Sequence, residues 1–291
     1  MSIPKIAAYD LPELEGITPN RVDWQPDPAR AVLLIHDMQD YFLDFYDQNA
    51  APIPQMLDNL ITLRHFCASA GVPVVYTAQP PQQTAEQRGL LQDWWGPGLT
   101  AKPEQAGIVA ALAPEQQDIV LTKWRYSAFQ QSPLRQIMQE QQRDQLIIGG
   151  IYAHIGCMTT AVDAFMQDIQ PFFVADALAD FSQAEHQMAL NWVAQRCGVV
   201  LDTNQVIRQI SPPLPIPESE QALLDSISQL LGLAPGDLQA DDDLLLMGLD
   251  SIRLMNLVAG WRYLGLPLEF NDLAERPTLA EWWDLLQTLR G

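Results

Sequence analysis

Six short aliphatic runs set the strongest limit on this chain: AVLLI (31–35), VPVVYT (72–77), DIVLTKW (118–124), QLIIGGIY (145–152), PFFVADA (171–177) and GVVLD (198–202). They lack polar alternation, which predicts strands buried on both faces. Segments 53–71, 132–143, 158–169 and 181–198 lie between them and place apolar residues at three- and four-residue intervals. That spacing predicts amphipathic helices. Strands joined through helices need right-handed crossovers, so the expected fold is α/β, a three-layer domain with a mostly parallel six-stranded sheet. Function in such sheets collects at the carboxyl ends of the strands, which singles out Asp37, Gln79, Lys123 and the segment after Gly150.

The alternation stops at SPPLPIPESE (211–220), where four prolines fall within six residues. Prolines remove backbone donors and favour an extended, semi-rigid spacer. The expected division is a domain at 1–210, a proline-rich linker at 211–217 and a second domain at 218–291. Helical patterns at 218–233, 251–265 and 278–291, with a short piece at 270–275, predict a small all-α four-helix bundle. A chain of 291 residues has room for one large and one small domain.

Composition narrows the function classes. A formal charge of -20 disfavours nucleic acid, whose phosphates are bound through clustered Lys and Arg. No stretch approaches the roughly 18 consecutive apolar residues that a membrane helix requires, and the N-terminus lacks a basic segment followed by an apolar run. A soluble, cytoplasmic protein without a membrane partner is expected. Cys67, Cys157 and Cys197 are scattered and odd in number, so reduced thiols are expected rather than a disulfide framework or a zinc site.

Within DDDLLLMGLDSIRLMNL (241–257), a glycine turn and an acidic residue precede a serine that opens a helix. An Asp or Ser there can simply cap the helix. The segment Gly248-Leu249-Asp250-Ser251 is similar to the Leu-Gly-x-Asp-Ser core of acyl, peptidyl and aryl carrier proteins. That resemblance implies a 4'-phosphopantetheine arm on Ser251, and a helix N-terminus suits the phosphate of such an arm. In the carrier family the side bearing Met255, Phe270 and Ala274 docks partner enzymes; core packing is the alternative for each.

Residues 1–210 resemble the isochorismatase-like hydrolase superfamily through AVLLIHDMQDYF with Asp37, VLTKWRYSAF with Lys123, and GGIYAHIGCMTTAVDAF. Amide-cleaving members combine an aspartate, a lysine and a nucleophilic cysteine. Here Gly156 stands at the nucleophile position and Cys157 one residue later. A one-residue step at a helix start turns a side chain by about 100°, so Cys157 is expected to point away from the pocket. A glycine at 156 is expected to open room for a bulkier substrate and to let its N–H approach the ligand.

With the whole-chain layout, this substitution looks like the bifunctional isochorismatase/aryl carrier proteins of catecholate siderophore synthesis. The resemblance implies hydrolysis of the enolpyruvyl ether of isochorismate to 2,3-dihydro-2,3-dihydroxybenzoate and pyruvate, for which one general acid is the minimum. Asp37 is the candidate acid and Lys123 its partner. Gln79, Arg88, Tyr152 and Gly156 are the implied substrate contacts, with Phe42 and Trp94 as an apolar wall. Arg88 could equally be a surface residue, and Phe42 and Trp94 core residues.

His36 and His154 read as satisfied core or rim residues. The stretch after the second strand, YTAQPPQQTAEQ, lacks the Asp and His set of the metal-binding amidases, so no metal is expected. In this superfamily the peptide after Ile151 is often cis. Implied partners are a phosphopantetheinyl transferase, an aryl acid adenylating ligase and a condensation enzyme of a nonribosomal peptide synthetase, and a homodimer is expected. An inactive scaffold that keeps only the carrier role, and a cysteine amidase using Cys157, are the competing readings.

Overall fold

A computed structural model describes residues 3–210, 214–234 and 236–290. The chain packs as two compact units, residues 1–211 and 212–291.

The first unit is built on six strands: β1 (Ala31–His36), β2 (Val74–Ala78), β3 (Ile119–Thr122), β4 (Gln145–Ile151), β5 (Gln170–Ala179) and β6 (Val199–Leu201). Their order across the sheet is β3-β2-β1-β4-β5-β6, and every adjacent pair is parallel. The helices of this unit are α1 (Asp40–Leu43), α2 (Ile53–Ser69), α3 (Ala85–Arg88), α4 (Leu90–Trp95), α5 (Leu134–Glu140), α6 (Met158–Met166), α7 (Gln183–Arg196) and α8 (Thr203–Ile210).

Two apolar cores flank the sheet. On one face α2 and α8 pack against Leu33, Ile35 and Phe172; on the other α5, α6 and α7 pack against Leu34, Ile148 and Phe173. Helix α2 supplies Ile53, Met56, Leu60, Leu63 and Phe66, the stripe its sequence predicts. Each such buried side chain contributes roughly 1.5–3 kcal/mol. The expectation of strands buried on both faces fails at β3: it is an edge strand beside β2, and Val120 is half exposed. The short helices α1, α3, α4 and α8 fall outside the predicted segments.

Register brings the strand ends together. His36 of β1 lies opposite Thr77 of β2 and Gly150 of β4, so Asp37 leaves the sheet between two neighbours.

The second unit contains α9 (Glu220–Leu231), α10 (Ser251–Tyr263), α11 (Phe270–Ala274) and α12 (Leu279–Arg290). They close around Leu223, Ile227, Leu254, Trp261, Trp282 and Leu286. Ser219 caps α9 by accepting from the Ala222 N–H, and Gly232 ends it in the left-handed conformation. Among the described residues, no helix is long and apolar enough to cross a membrane.

Candidate active site and carrier site

A cleft of about 650 Å³, open mouth included, lies over the carboxyl ends of the central strands. Asp37, Phe42, Gln79, Arg88, Lys123, Tyr152 and Gly156, all named from the sequence, border it together.

Asp37 is buried and has φ of +50°, a left-handed conformation uncommon outside glycine and more accessible to Asp than to most residues. Thr77 holds it there from β2. The Asp37 N–H donates to the Thr77 carbonyl (3.2 Å) and Oγ1 (3.1 Å), while the Thr77 hydroxyl donates to Asp37 Oδ1 at 2.7 Å. Lys123 Nζ donates to Asp37 Oδ2 at 3.1 Å. The lysine is 3 % exposed, and its N–H bonds to the Ala78 carbonyl at 2.9 Å, fixing it beyond β3. A buried pair of this kind is costly to break, because either charge left alone would be desolvated and uncompensated.

Arg88 is 4 % exposed, which rules out a surface role. Its Nε donates to the Gly96 carbonyl at 2.5 Å, and a capping box between Thr84 and Gln87 starts α3 just ahead of it. Burial pulls the guanidinium pKa down, and the nearby Tyr41 and Tyr126 hydroxyls oppose this. Gly98 makes the inward turn possible: a Cβ there would stand 2.2 Å from Arg88 Nη2, and Gly98 has φ of +55°. Gln39, fully buried, pins the Gln79 backbone by accepting from its N–H (2.8 Å) and donating to its carbonyl (2.9 Å).

The aromatic wall differs from expectation at one residue. Phe42 borders the cleft and meets Tyr152 edge-on, 6.0 Å between centroids. Trp94 does not border it and is 62 % exposed. Leu91 and Trp95, four apart on α4, form its inward face, and adjacent helical residues point about 100° apart. Trp95 Nε1 donates to the Tyr126 hydroxyl at 2.7 Å. The Tyr152 hydroxyl donates to the Phe42 carbonyl at 3.1 Å, and burial pushes this phenol well above its ordinary pKa. The Ile151–Tyr152 peptide is cis.

Gly156 also departs from its predicted purpose. A Cβ at this position would stand 2.3 Å from His36 Cε1, so the space the glycine leaves is filled by an imidazole rather than kept open for substrate. Gly156 sits in a single π-helical turn, Ala153–Cys157, that leads into α6. Cys157 is fully buried in the core on the far side of the sheet from α2 and does not border the cleft. Burial pushes its thiol well above the ordinary range, and the charge of Asp37 adds to this. A thiolate nucleophile is not available there.

His154 pairs with Asp180 at 2.5 Å; burial lowers its pKa, and the bond to Asp180 and that residue's charge more than reverse the effect. His36 is only half satisfied: Nδ1 lies 2.8 Å from the Ile151 carbonyl, and among the described residues Nε2 makes no hydrogen bond of full geometry. Burial, and then the charge of Lys123, lower its pKa to about 4. Among the described residues, no group of three or more His, Cys, Asp and Glu side chains is placed to hold a metal.

Arg125 was not singled out from the sequence. It borders the cleft with Nη1 fixed between the Gln87 and Trp124 carbonyls, 2.7 Å from each. Only its place two residues beyond Lys123 could have signalled it. Among the described side chains around the cleft, Asp37 is the sole carboxylate facing three cations, Arg88, Lys123 and Arg125. The site is locally positive in a chain of charge -20.

In the second unit Ser251 is exposed and is the first residue of α10. The cap is supplied by Asp250, whose Oδ1 accepts from the Arg253 N–H at 2.7 Å. The capping task thus belongs to the residue before the serine, and an exposed hydroxyl stands at a helix N-terminus where a phosphodiester is electrostatically favoured. Those features fit a phosphopantetheine arm. Met255, one turn on, is 58 % exposed; Ala274 is exposed, and Phe270 is half-buried against the bundle core.

Comparison with known proteins matches residues 31–205 to the isochorismatase domain and residues 221–286 to the phosphopantetheine attachment site. The chain is 52 % identical over 286 residues to enterobactin synthase component B of Escherichia coli K12, covering 98 % of each protein. It is 47 % identical over 300 residues to the isochorismatase of Bacillus subtilis, covering 99 % of this chain and 96 % of that one. A solved cysteine hydrolase from Pseudomonas syringae shares the first unit's fold at a TM-score of 0.59 and 23 % identity, over 66 % of this chain and 97 % of that one. On this evidence the chain belongs to the isochorismatase family, with a phosphopantetheine-attachment domain on the same polypeptide.

Proposed function

We propose that the first unit hydrolyses isochorismate to 2,3-dihydro-2,3-dihydroxybenzoate and pyruvate with Asp37 as general acid, and that Ser251 carries the phosphopantetheine arm. The carrying observation is the lone carboxylate among three cations, paired with Lys123 at 3.1 Å. Isochorismate brings two carboxylates, and Arg88, Arg125 and Lys123 supply the positive charge that a dianion needs inside a low-dielectric cleft. Gln79, Tyr152 and the Gly156 amide add polar contacts, and Phe42 supplies apolar surface.

Asp37 delivers its proton to the terminal methylene of the enolpyruvyl group, leaving an oxocarbenium ion. Water adds to that carbon, and the resulting hemiketal collapses with cleavage of the bond to the ring oxygen. Lys123 stabilises the carboxylate that remains on Asp37 after the proton leaves. A general acid must carry its proton when the reaction begins.

The test is pyruvate release from isochorismate, followed with lactate dehydrogenase. Wild type is expected to turn over and Asp37→Asn to lose roughly 10²–10⁴-fold in rate while remaining folded. A wild type without turnover would leave the carrier role alone.

When bound, the arm supplies a thiol on which the aryl acid rides as a thioester. The partners follow from that role: a phosphopantetheinyl transferase to modify Ser251, an adenylating aryl acid ligase to load the arm and a condensation enzyme of a nonribosomal peptide synthetase to unload it. Met255, Ala274 and the exposed part of Phe270 form the proposed docking side. Residues 211–217 act as the linker, and the first unit assembles as a homodimer.

A further inference from the structure

Resting on the hydrolase reading above, we infer that His36 is a second catalytic residue, the acceptor that takes a proton from water as it attacks the oxocarbenium carbon. Three observations lead there. The Ile151 carbonyl can only accept, so the 2.8 Å contact to His36 Nδ1 places the imidazole proton on Nδ1. Nε2 is therefore a bare lone pair. Among the described residues that atom is buried and makes no hydrogen bond of full geometry, although the Tyr126 backbone approaches the ring closely enough to raise its pKa. A buried acceptor left unsatisfied is costly, and such groups call for a ligand or a catalytic role. Finally, the imidazole fills the place of a side chain at 156, with Nε2 3.0 Å from where a Cβ would stand. His36 and Gly156 both border the cleft, so a base stands at this corner of it.

Asp37 Oδ2 lies 3.7 Å from His36 Nδ1, so acid and base are neighbours on one strand end. The protons balance between them. Asp37 gives one proton to the methylene carbon, and His36 Nε2 takes one from water as the new carbon–oxygen bond forms. On collapse, the hemiketal hydroxyl returns a proton to Asp37, and the imidazolium protonates the departing ring oxygen. Both residues end as they began, and one water is consumed. Burial, and then the charge of Lys123, keep the imidazole neutral at physiological pH.

The experiment compares full-length wild type with His36→Asn, whose amide can still donate to the Ile151 carbonyl but lacks the Nε2 acceptor, and with His36→Gln as a second variant. Each variant is first checked by thermal unfolding and by inhibition with a non-hydrolysable dicarboxylate analogue. Pyruvate release is expected to fall by roughly a hundredfold or more. In D₂O, unreacted isochorismate recovered from the variant should gain deuterium in its enolpyruvyl methylene, because the oxocarbenium ion reverts when water capture is slow. Turnover equal to wild type, or a loss without deuterium in recovered substrate, would overturn the assignment of His36. A wild type that releases no pyruvate would overturn the hydrolase reading itself.

Discussion

At the scale of single residues, the site depends on small groups that let larger ones turn inward. Gly156 gives way to His36 and Gly98 to Arg88. Gly156→Ala is expected to destabilise the first unit by about 1–3 kcal/mol through overpacking, read as a lowered thermal midpoint, and to reduce turnover by displacing the imidazole. Gly98→Ala adds strain at φ of +55° to its clash with Arg88, and is expected to raise KM for the dicarboxylate more than it lowers kcat. The residues with chemistry on their face, Asp37, Lys123, Arg88 and Gln79, were legible in the sequence because strand ends and family spacing mark them. His36 and Arg125 were not. A histidine inside an apolar run looks like core, and nothing in one dimension reveals that its ring occupies a neighbour's missing side chain. Trp94 failed for a simpler reason: in a short helix, a neighbouring tryptophan is about 100° away, and one sequence cannot tell which of two faces inward.

At the scale of elements, two buried histidines make the first unit acid-sensitive. His36 and His186 are held down to about 4 and about 3, chiefly by burial, against an ordinary value of 6.5. Depressed values mean that the unfolded chain binds more protons over this range, so their contribution is complete above about 6.5 and is lost as pH falls toward 4 and below. His154, raised by Asp180, acts in the opposite sense. The expected result is a thermal midpoint that drops as pH falls from 6.5 to 4, with a shallower slope in His186→Asn. In the second unit, Asp250→Ala should cost about 1 kcal/mol by uncapping α10, measured as a lower midpoint of that unit. Strands and long helices were readable because their period is averaged over many residues. The short helices α3 and α4, which deliver Arg88 and Trp95 to the cleft, span only Ala85–Arg88 and Leu90–Trp95, too few for a period to emerge.

For the whole molecule, chemistry and carriage reside in separate compact units. Ser251→Ala is therefore expected to abolish phosphopantetheinylation, seen as an unchanged intact mass after incubation with coenzyme A and the transferase, while pyruvate release stays within about twofold of wild type. Local cations in a chain of net charge -20 also bear on the end of the reaction. Cleavage divides one dianion into two singly charged acids, so each fragment feels a weaker pull from Arg88, Arg125 and Lys123. Once free of the cleft, both meet a surface of their own sign. The bond that breaks thereby loosens the grip on its own products, and the surrounding charge opposes their return.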